Sequence, residues 1–111
     1  MRSLTDPTEA QFTDQLIEVG RLLGYKVAHF RAALTKRGWR TPVSGDGAGW
    51  PDLTFARPGR LIFAELKSKV GKLSPEQTDW LALLEATGAE SYVWRPAQFD
   101  EAVEILRRSC H

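Results

Sequence analysis

The tetrapeptide Arg57-Pro58-Gly59-Arg60 constrains this chain more than any other segment. It reads as a tight turn between two apolar, β-prone runs, Leu53-Thr54-Phe55-Ala56 and Leu61-Ile62-Phe63-Ala64, which is the pattern of a β-hairpin. A turn centred on Pro58-Gly59 makes Arg57 face Arg60. Counting outward in step, it makes Asp52 face Glu65, with Cβ atoms roughly 5 Å apart. Lys67 lies two positions beyond Glu65 and shares its face. A two- or a four-residue loop keeps this pairing, whereas a slip by one residue would send the two carboxylates to opposite faces. Leu53, Phe55, Ile62, Ala64 and Leu66 all fall on the other face. That face can pack under a helix while the carboxylate face opens toward a cleft.

Two carboxylates and a lysine in one place suit a divalent cation with an activated water beside it. Mg²⁺ prefers few protein ligands and keeps several waters, so two or three carboxylates suffice. Such a cation neutralises charge at a phosphate and lowers the pKa of bound water. The competing reading makes Asp52 and Glu65 polar neighbours on a wet sheet face, with Lys67 only neutralising them. Like charges directly opposite are unfavourable without a cation, so that reading leaves a repulsion to explain.

The chain has 111 residues, enough for a single domain over 1–111 with one core. It is 42% hydrophobic and 26% charged, which argues against disorder. No apolar run approaches the ~20 residues of a membrane span. Met1-Arg2-Ser3-Leu4-Thr5-Asp6-Pro7 lacks the apolar core of a signal peptide. Cys110 is the only cysteine, which excludes an internal disulfide and a cysteine-built zinc site and fits a reducing, cytoplasmic setting. The net charge is only +1, but it is unevenly spread: −3 over residues 1–20, +8 over 21–72 and −4 over 73–111. Asp52 and Glu65 are two of the three acids in the basic middle. A positive field around a small acidic spot suits cleavage of a polyanion backbone; a solvated, unevenly charged surface is the plainer alternative.

The spacing predicts a helix over 8–24, with Phe12, Leu16, Val19 and Leu23 on one stripe. Asp6 serves as cap, Pro7 as first position and Glu9 as third, and Gly24 as stop. Tyr25–Phe30 reads as a strand. Residues 32–50 read as an irregular loop containing basic Lys36-Arg37-Gly38-Trp39-Arg40 and flexible Gly45-Asp46-Gly47-Ala48-Gly49; loops of that length are often functional. The glycines lack a following Gly-Lys-Ser/Thr, so no nucleotide cofactor is expected. After the hairpin, Ser74-Pro75-Glu76-Gln77 starts a helix to about Thr87, with Gln77, Trp80, Leu81 and Leu84 inward. Ser91–Arg95 reads as a strand, and 97–108 as a last helix with Phe99, Val103 and Leu106 inward. The expected order is αβββαβα.

Gly49-Trp50-Pro51-Asp52, then Glu65-Leu66-Lys67, then Ser74-Pro75-Glu76-Gln77 together resemble the virus-type replication-repair nucleases (VRR-NUC) of the PD-(D/E)XK superfamily. The resemblance runs from about Glu9 to Pro96. It implies an α/β fold with a restriction-endonuclease-like αβββαβ core, here with an added C-terminal helix, and a mixed central sheet flanked by helices. It implies that Asp52 and Glu65 ligate Mg²⁺ or Mn²⁺ with the backbone carbonyl of Leu66, and that Lys67 orients or deprotonates the attacking water. Glu9 would match the family's N-terminal acidic position, and Gln77 its glutamine near the site. Free-standing members look like homodimeric junction-resolving endonucleases, often encoded by phages, so a bacterial or phage-infected cytoplasm is implied. The accessory DNA-binding modules of larger members are not in this chain, which tells against flap or exonuclease roles.

Residue by residue, other readings stand beside these. Glu9 is either half of a helix cap or the head of a stripe pointing into the cleft. Gln77 forms a capping box with Ser74 whether or not it also serves the site. Trp80 and Trp94 read as core, while Trp39 and Trp50 could stack on bases or fill a dimer interface. Lys36, Arg37, Arg40, Lys69 and Lys72 are candidate phosphate contacts. The expectation is a Mg²⁺- or Mn²⁺-dependent endodeoxyribonuclease acting on branched DNA such as Holliday junctions, as a homodimer, with no membrane association. The alternatives are a non-catalytic nucleic-acid-binding module on a nuclease scaffold, and a sequence-specific or nicking endonuclease of the same superfamily.

Overall fold

Thr8 and Gln11 open the first helix by a reciprocal cap: the Gln11 N–H donates to the Thr8 hydroxyl at 3.0 Å, and the Thr8 N–H to the Gln11 side-chain oxygen at 2.8 Å. The structure, a computed structural model, describes residues 8–30, 33–35, 38–40 and 44–108. Helix α1 spans Glu9–Leu22. Its cap is therefore Thr8 with Gln11 at the third position, not Asp6 with Glu9, and Asp6 and Pro7 lie outside the described residues. Thr8-x-x-Gln11 carries the same capping-box signal, two residues later than read.

Phe12 and Leu16 on α1 are fully buried, and each side chain contributes roughly 1.5–3 kcal/mol by leaving water. Gly20 shares their side. A Cβ there would meet the Phe55 ring at 2.7 Å and Val27 Cγ2 at 3.0 Å, so α1 lies directly on the sheet. Gly24, at φ +91°, turns the chain into β1 (Lys26–His29).

Residues 32–50 are not one irregular loop. Within them, β2 (Ala33–Thr35) and β3 (Gly38–Arg40) pair as an antiparallel ribbon, with Leu34 opposite Trp39. Three-residue strands are too short to show alternation in a sequence.

β4 (Leu53–Arg57) and β5 (Arg60–Leu66) form the expected hairpin. Its register runs from Arg57 opposite Arg60 to Leu53 opposite Ala64, with Gly59 at φ +82° in the turn. Helix α2 (Pro75–Ala86) then crosses to β6 (Glu90–Trp94), which lies parallel to β5 with Leu66 opposite Trp94. A single 3-10 turn, Pro96–Gln98, leads into α3 (Phe99–Arg107). The sheet order is β1-β4-β5-β6, antiparallel except at β5–β6. The result is a mixed α/β fold with a four-strand mixed sheet and three helices. It follows the αβββαβα order once the β2–β3 ribbon is set apart.

The two sheet faces divide the molecule. Leu53, Phe55, Ile62, Ala64, Leu66 and Trp94 join Phe12 and Leu16 of α1 and Ala102, Ile105 and Leu106 of α3 in one core. The opposite face carries Phe63 and Glu65, and α2 covers that part of it.

The hairpin tip is tied to the ends of two helices. Arg57 donates to the Leu23 carbonyl at 2.6 Å and the Arg108 carbonyl at 3.0 Å, with its guanidinium 4.3 Å from the Tyr25 ring centre. Arg60, 8% exposed, holds Glu90 through two bonds of 2.9 Å and also donates to the Arg108 carbonyl. The Tyr25 hydroxyl donates to the Leu106 carbonyl at 2.8 Å. These bonds satisfy carbonyls that helix ends leave open. Two arginines of the basic middle segment are thus structural. They stand opposite each other in the ladder, where like charges normally repel; the Arg108 carbonyl accepts from both, the Glu90 carboxylate offsets the charge of Arg60, and Arg57 has the Leu23 carbonyl besides.

Candidate active site

Asp52 ends the loop that precedes β4. Its carbonyl accepts the Phe30 N–H at 2.9 Å, one step beyond the β1–β4 ladder. Its Oδ2 accepts the Leu66 N–H at 2.9 Å. Asp52 therefore spans to the end of β5, where the hairpin register places it beside Glu65.

Glu65 is 1% exposed. Its Oε1 accepts from Gln77 Nε2 at 2.9 Å and lies 3.9 Å from Lys67 Nζ. Its Oε2 is buried without a hydrogen-bond partner among the described residues. Burial, and then the Asp52 carboxylate beside it, push the Glu65 carboxyl up to about 8, while Lys67 pulls the other way. A buried carboxylate oxygen with no partner is costly; the raised pKa lets a proton relieve it, and a cation held between the two carboxylates would relieve it as well. Lys67 keeps 16% of its side chain exposed, open enough to meet a ligand while holding its place.

Gln77 does two jobs with one amide. Its Oε1 accepts the Ser74 N–H at 2.8 Å, completing the cap, and its Nε2 donates to Glu65. The cap and the site readings of Gln77 are therefore not alternatives. The cap turns the carbonyl end inward to its own helix and aims the amino end at Glu65.

The Ser44–Trp50 loop is packed onto α2. Trp80 Nε1 donates to the Asp46 carbonyl at 2.9 Å. Trp50 meets the rings of Trp80 and Phe63 edge-on, at 4.9 and 5.4 Å between centres. Trp50 is thus packed into this cluster, and it and Trp80 are both half-buried rather than deep core. Gly49, at φ +86°, abuts the start of α2. After it comes Pro51, fully buried, and then Asp52.

The other expected site residues divide. Glu9 is exposed at the first position of α1. No group of three or more His, Cys, Asp or Glu able to share a cation forms among the described residues, so Glu9 does not join the pair. Lys69 and Lys72 are exposed, just past Lys67. Lys36 and Arg37 lie outside the described residues, and Arg40 is placed only by its backbone in β3. Sequence reasoning missed Arg95. Its guanidinium donates to the carbonyls of Ser68 at 2.7 Å and Gly71 at 2.6 Å, fixing the turn between Lys67 and Lys72. No local pattern marks such a contact, because its partners lie 24 and 27 residues away.

Two carboxylates, a lysine and an amide that holds one of the carboxylates thus meet at the end of the hairpin. The chain belongs to the VRR-NUC domain family, whose model matches residues 11–98. This is a nuclease family, so DNA is the implied substrate. The match includes Asp52, Glu65, Lys67 and Gln77 and leaves Glu9 outside. No curated protein matches the chain significantly. Among the described residues, no helix is long and apolar enough to cross a membrane.

Proposed function

We propose that the protein is a metal-dependent DNA endonuclease built on a PD-(D/E)XK core, with Asp52 and Glu65 as carboxylate ligands of Mg²⁺ or Mn²⁺ and the Leu66 carbonyl beside them. The observation that carries this reading is the buried Glu65 Oε2, without a hydrogen-bond partner among the described residues and next to a second carboxylate. When bound, the cation neutralises charge at the scissile phosphate and lowers the pKa of its water. Gln77 orients Glu65 by its single amide bond and leaves the other oxygen open. Lys67 would orient the attacking water by donating from its ammonium, or, as the neutral amine, take a proton from it. Two carboxylates suit Mg²⁺, so the reading does not depend on Glu9.

The substrate we propose is branched DNA, in the manner of a Holliday-junction resolvase, cut by a homodimer whose two-fold axis sets two sites for paired nicks. The exposed Lys69 and Lys72 beside Lys67 support a backbone-contacting rim. The test is incubation with labelled four-way junction, flap and linear duplex in Mg²⁺ and in Mn²⁺, alongside Asp52→Ala and Lys67→Ala. Junction cleavage lost in both variants is the expected result. Equal cutting of plain duplex removes the junction claim, and no cutting by a folded wild type removes the enzyme claim.

A further inference from the structure

Phe30 is the one aromatic among the described large apolar side chains left exposed, at 49%. Phe12, Phe55, Phe63 and Phe99 each meet another aromatic ring. Phe30 directly follows β1, and its N–H donates to the Asp52 carbonyl, extending the register that sets His29 opposite Leu53. Directly opposed residues in an antiparallel ladder share a face. Phe30 therefore lies on the face of Asp52, as Asp52 lies on the face of Glu65. The three form a row across the sheet, with neighbouring Cβ atoms about 5 Å apart. Helix α2 packs on β6 and reaches β5 through Gln77 and Glu65, whereas Lys26, Ala28 and Ala56 on the β1 side are exposed. The ring stands at the open margin of the carboxylate site.

We propose that Phe30 is a substrate-contacting residue whose ring stacks on the free face of a base left unstacked at a branch point, next to the scissile phosphate. This rests on the nuclease reading of Asp52, Glu65 and Lys67. Base–aromatic stacking accepts every base, because each has a π-face. It orients a strand without reading its sequence. A base inside a continuous duplex already has both faces stacked, whereas a base at a branch point can offer one. Phe30 would thus contribute preference for branched over linear DNA.

The experiment compares wild type with Phe30→Ala, Phe30→Leu and Phe30→Trp as full chains. Affinity for a labelled four-way junction and a linear duplex is read by anisotropy with Ca²⁺ in place of Mg²⁺, and cleavage is read separately in Mg²⁺. Phe30→Ala and Phe30→Leu are expected to weaken junction binding roughly tenfold, with little change on duplex, and Phe30→Trp to retain it. The slope of log affinity against log salt should stay at the wild-type value, since no phosphate contact is lost. Lys72→Ala should instead make that slope shallower. Junction binding by Phe30→Ala or Phe30→Leu at the wild-type level, or equal loss on duplex and junction, overturns the inference. If wild type itself neither binds nor cuts DNA, the nuclease reading falls first; if it does both and Phe30→Ala matches it, only the stacking role falls.

Discussion

Gly49 lies flush against Glu76: a Cβ built on the glycine would sit 2.6 Å from the Glu76 carbonyl carbon, with the Gln77 nitrogen at 2.8 Å. The backbone there is also left-handed, at φ +86°. Gly49→Ala therefore meets both a clash and a strained conformation, and should cost about 2–4 kcal/mol. Gly59 has nearly the same φ, +82°, but nothing within 4 Å of its added Cβ. Gly59→Ala should cost only about 1–2 kcal/mol. Paired urea melts would separate the two, and equal losses would refute the close approach.

Ser74 and Gln77 share one cap, but only Gln77 touches Glu65. Ser74→Ala should lower stability by about 1 kcal/mol and leave cleavage near wild type. Gln77→Ala should lose a comparable amount of stability and most of the activity as well. Melting curves and turnover on the same preparations would check this. Equal activity in the two variants would reduce Gln77 to a cap.

Glu65→Gln replaces a buried, proton-holding carboxyl that faces Asp52 with an amide that does not titrate. The sign follows from its raised pKa, from an ordinary 4.5 to about 8. The folded protein holds a proton that the unfolded chain releases between these values. That stabilisation is complete below 4.5 and is lost as pH rises to about 8. Metal-free wild type should therefore lose stability across that window, and Glu65→Gln should not. In return, the variant should fail to cleave and show no rise in Tm with Mg²⁺. Thermal melts across pH, with and without Mg²⁺, provide the measurement.

The Arg60–Glu90 pair acts at the opposite end of the hairpin. Glu90 is held below the usual carboxylate range, chiefly by its hydrogen bonds from Arg60. A lowered carboxylate contributes stability that is present above its unfolded value and lost as pH falls through the folded one. Glu90→Gln should therefore flatten the acid limb of the stability curve. Glu90→Ala, which strands a buried guanidinium, should cost about 2–3 kcal/mol. Turnover well below Tm should not change, since the pair lies about 17 Å along the strand from the carboxylates.

Arg95→Ala should release the Ser68–Gly71 turn. Hydrogen exchange of the Gly71 amide should speed up, and DNA binding should weaken with a shallower salt slope, because Lys69 and Lys72 lose their fixed place. Unchanged affinity would show that the turn needs no tether.

The hairpin was legible because a two-residue turn fixes the parity of every position beyond it, and the helices because their stops, Gly24 and Gly88, have the positive φ such ends require. The β2–β3 ribbon was not, since three-residue strands carry too little pattern. The stripe of Phe12 and Leu16 was legible, but Glu9 opens the helix as its first residue and is exposed there, which spacing from Phe12 alone does not reveal. The packing of Trp50 was not legible, because its ring partners, Phe63 and Trp80, lie far along the chain. Arg57 and Arg60 counted toward a basic surface, yet both hold carbonyls of helix ends. A charge total cannot tell a cation in use from an available one.

The packed Ser44–Trp50 loop has a mechanical consequence. It leads through rigid Pro51 into one acid, and through Gly49 and Trp80 it bears on the helix whose first turn steers the other. Whatever presses on that loop moves both jaws of the site together, so a strand settling against it would tune the grip as a unit rather than one side at a time.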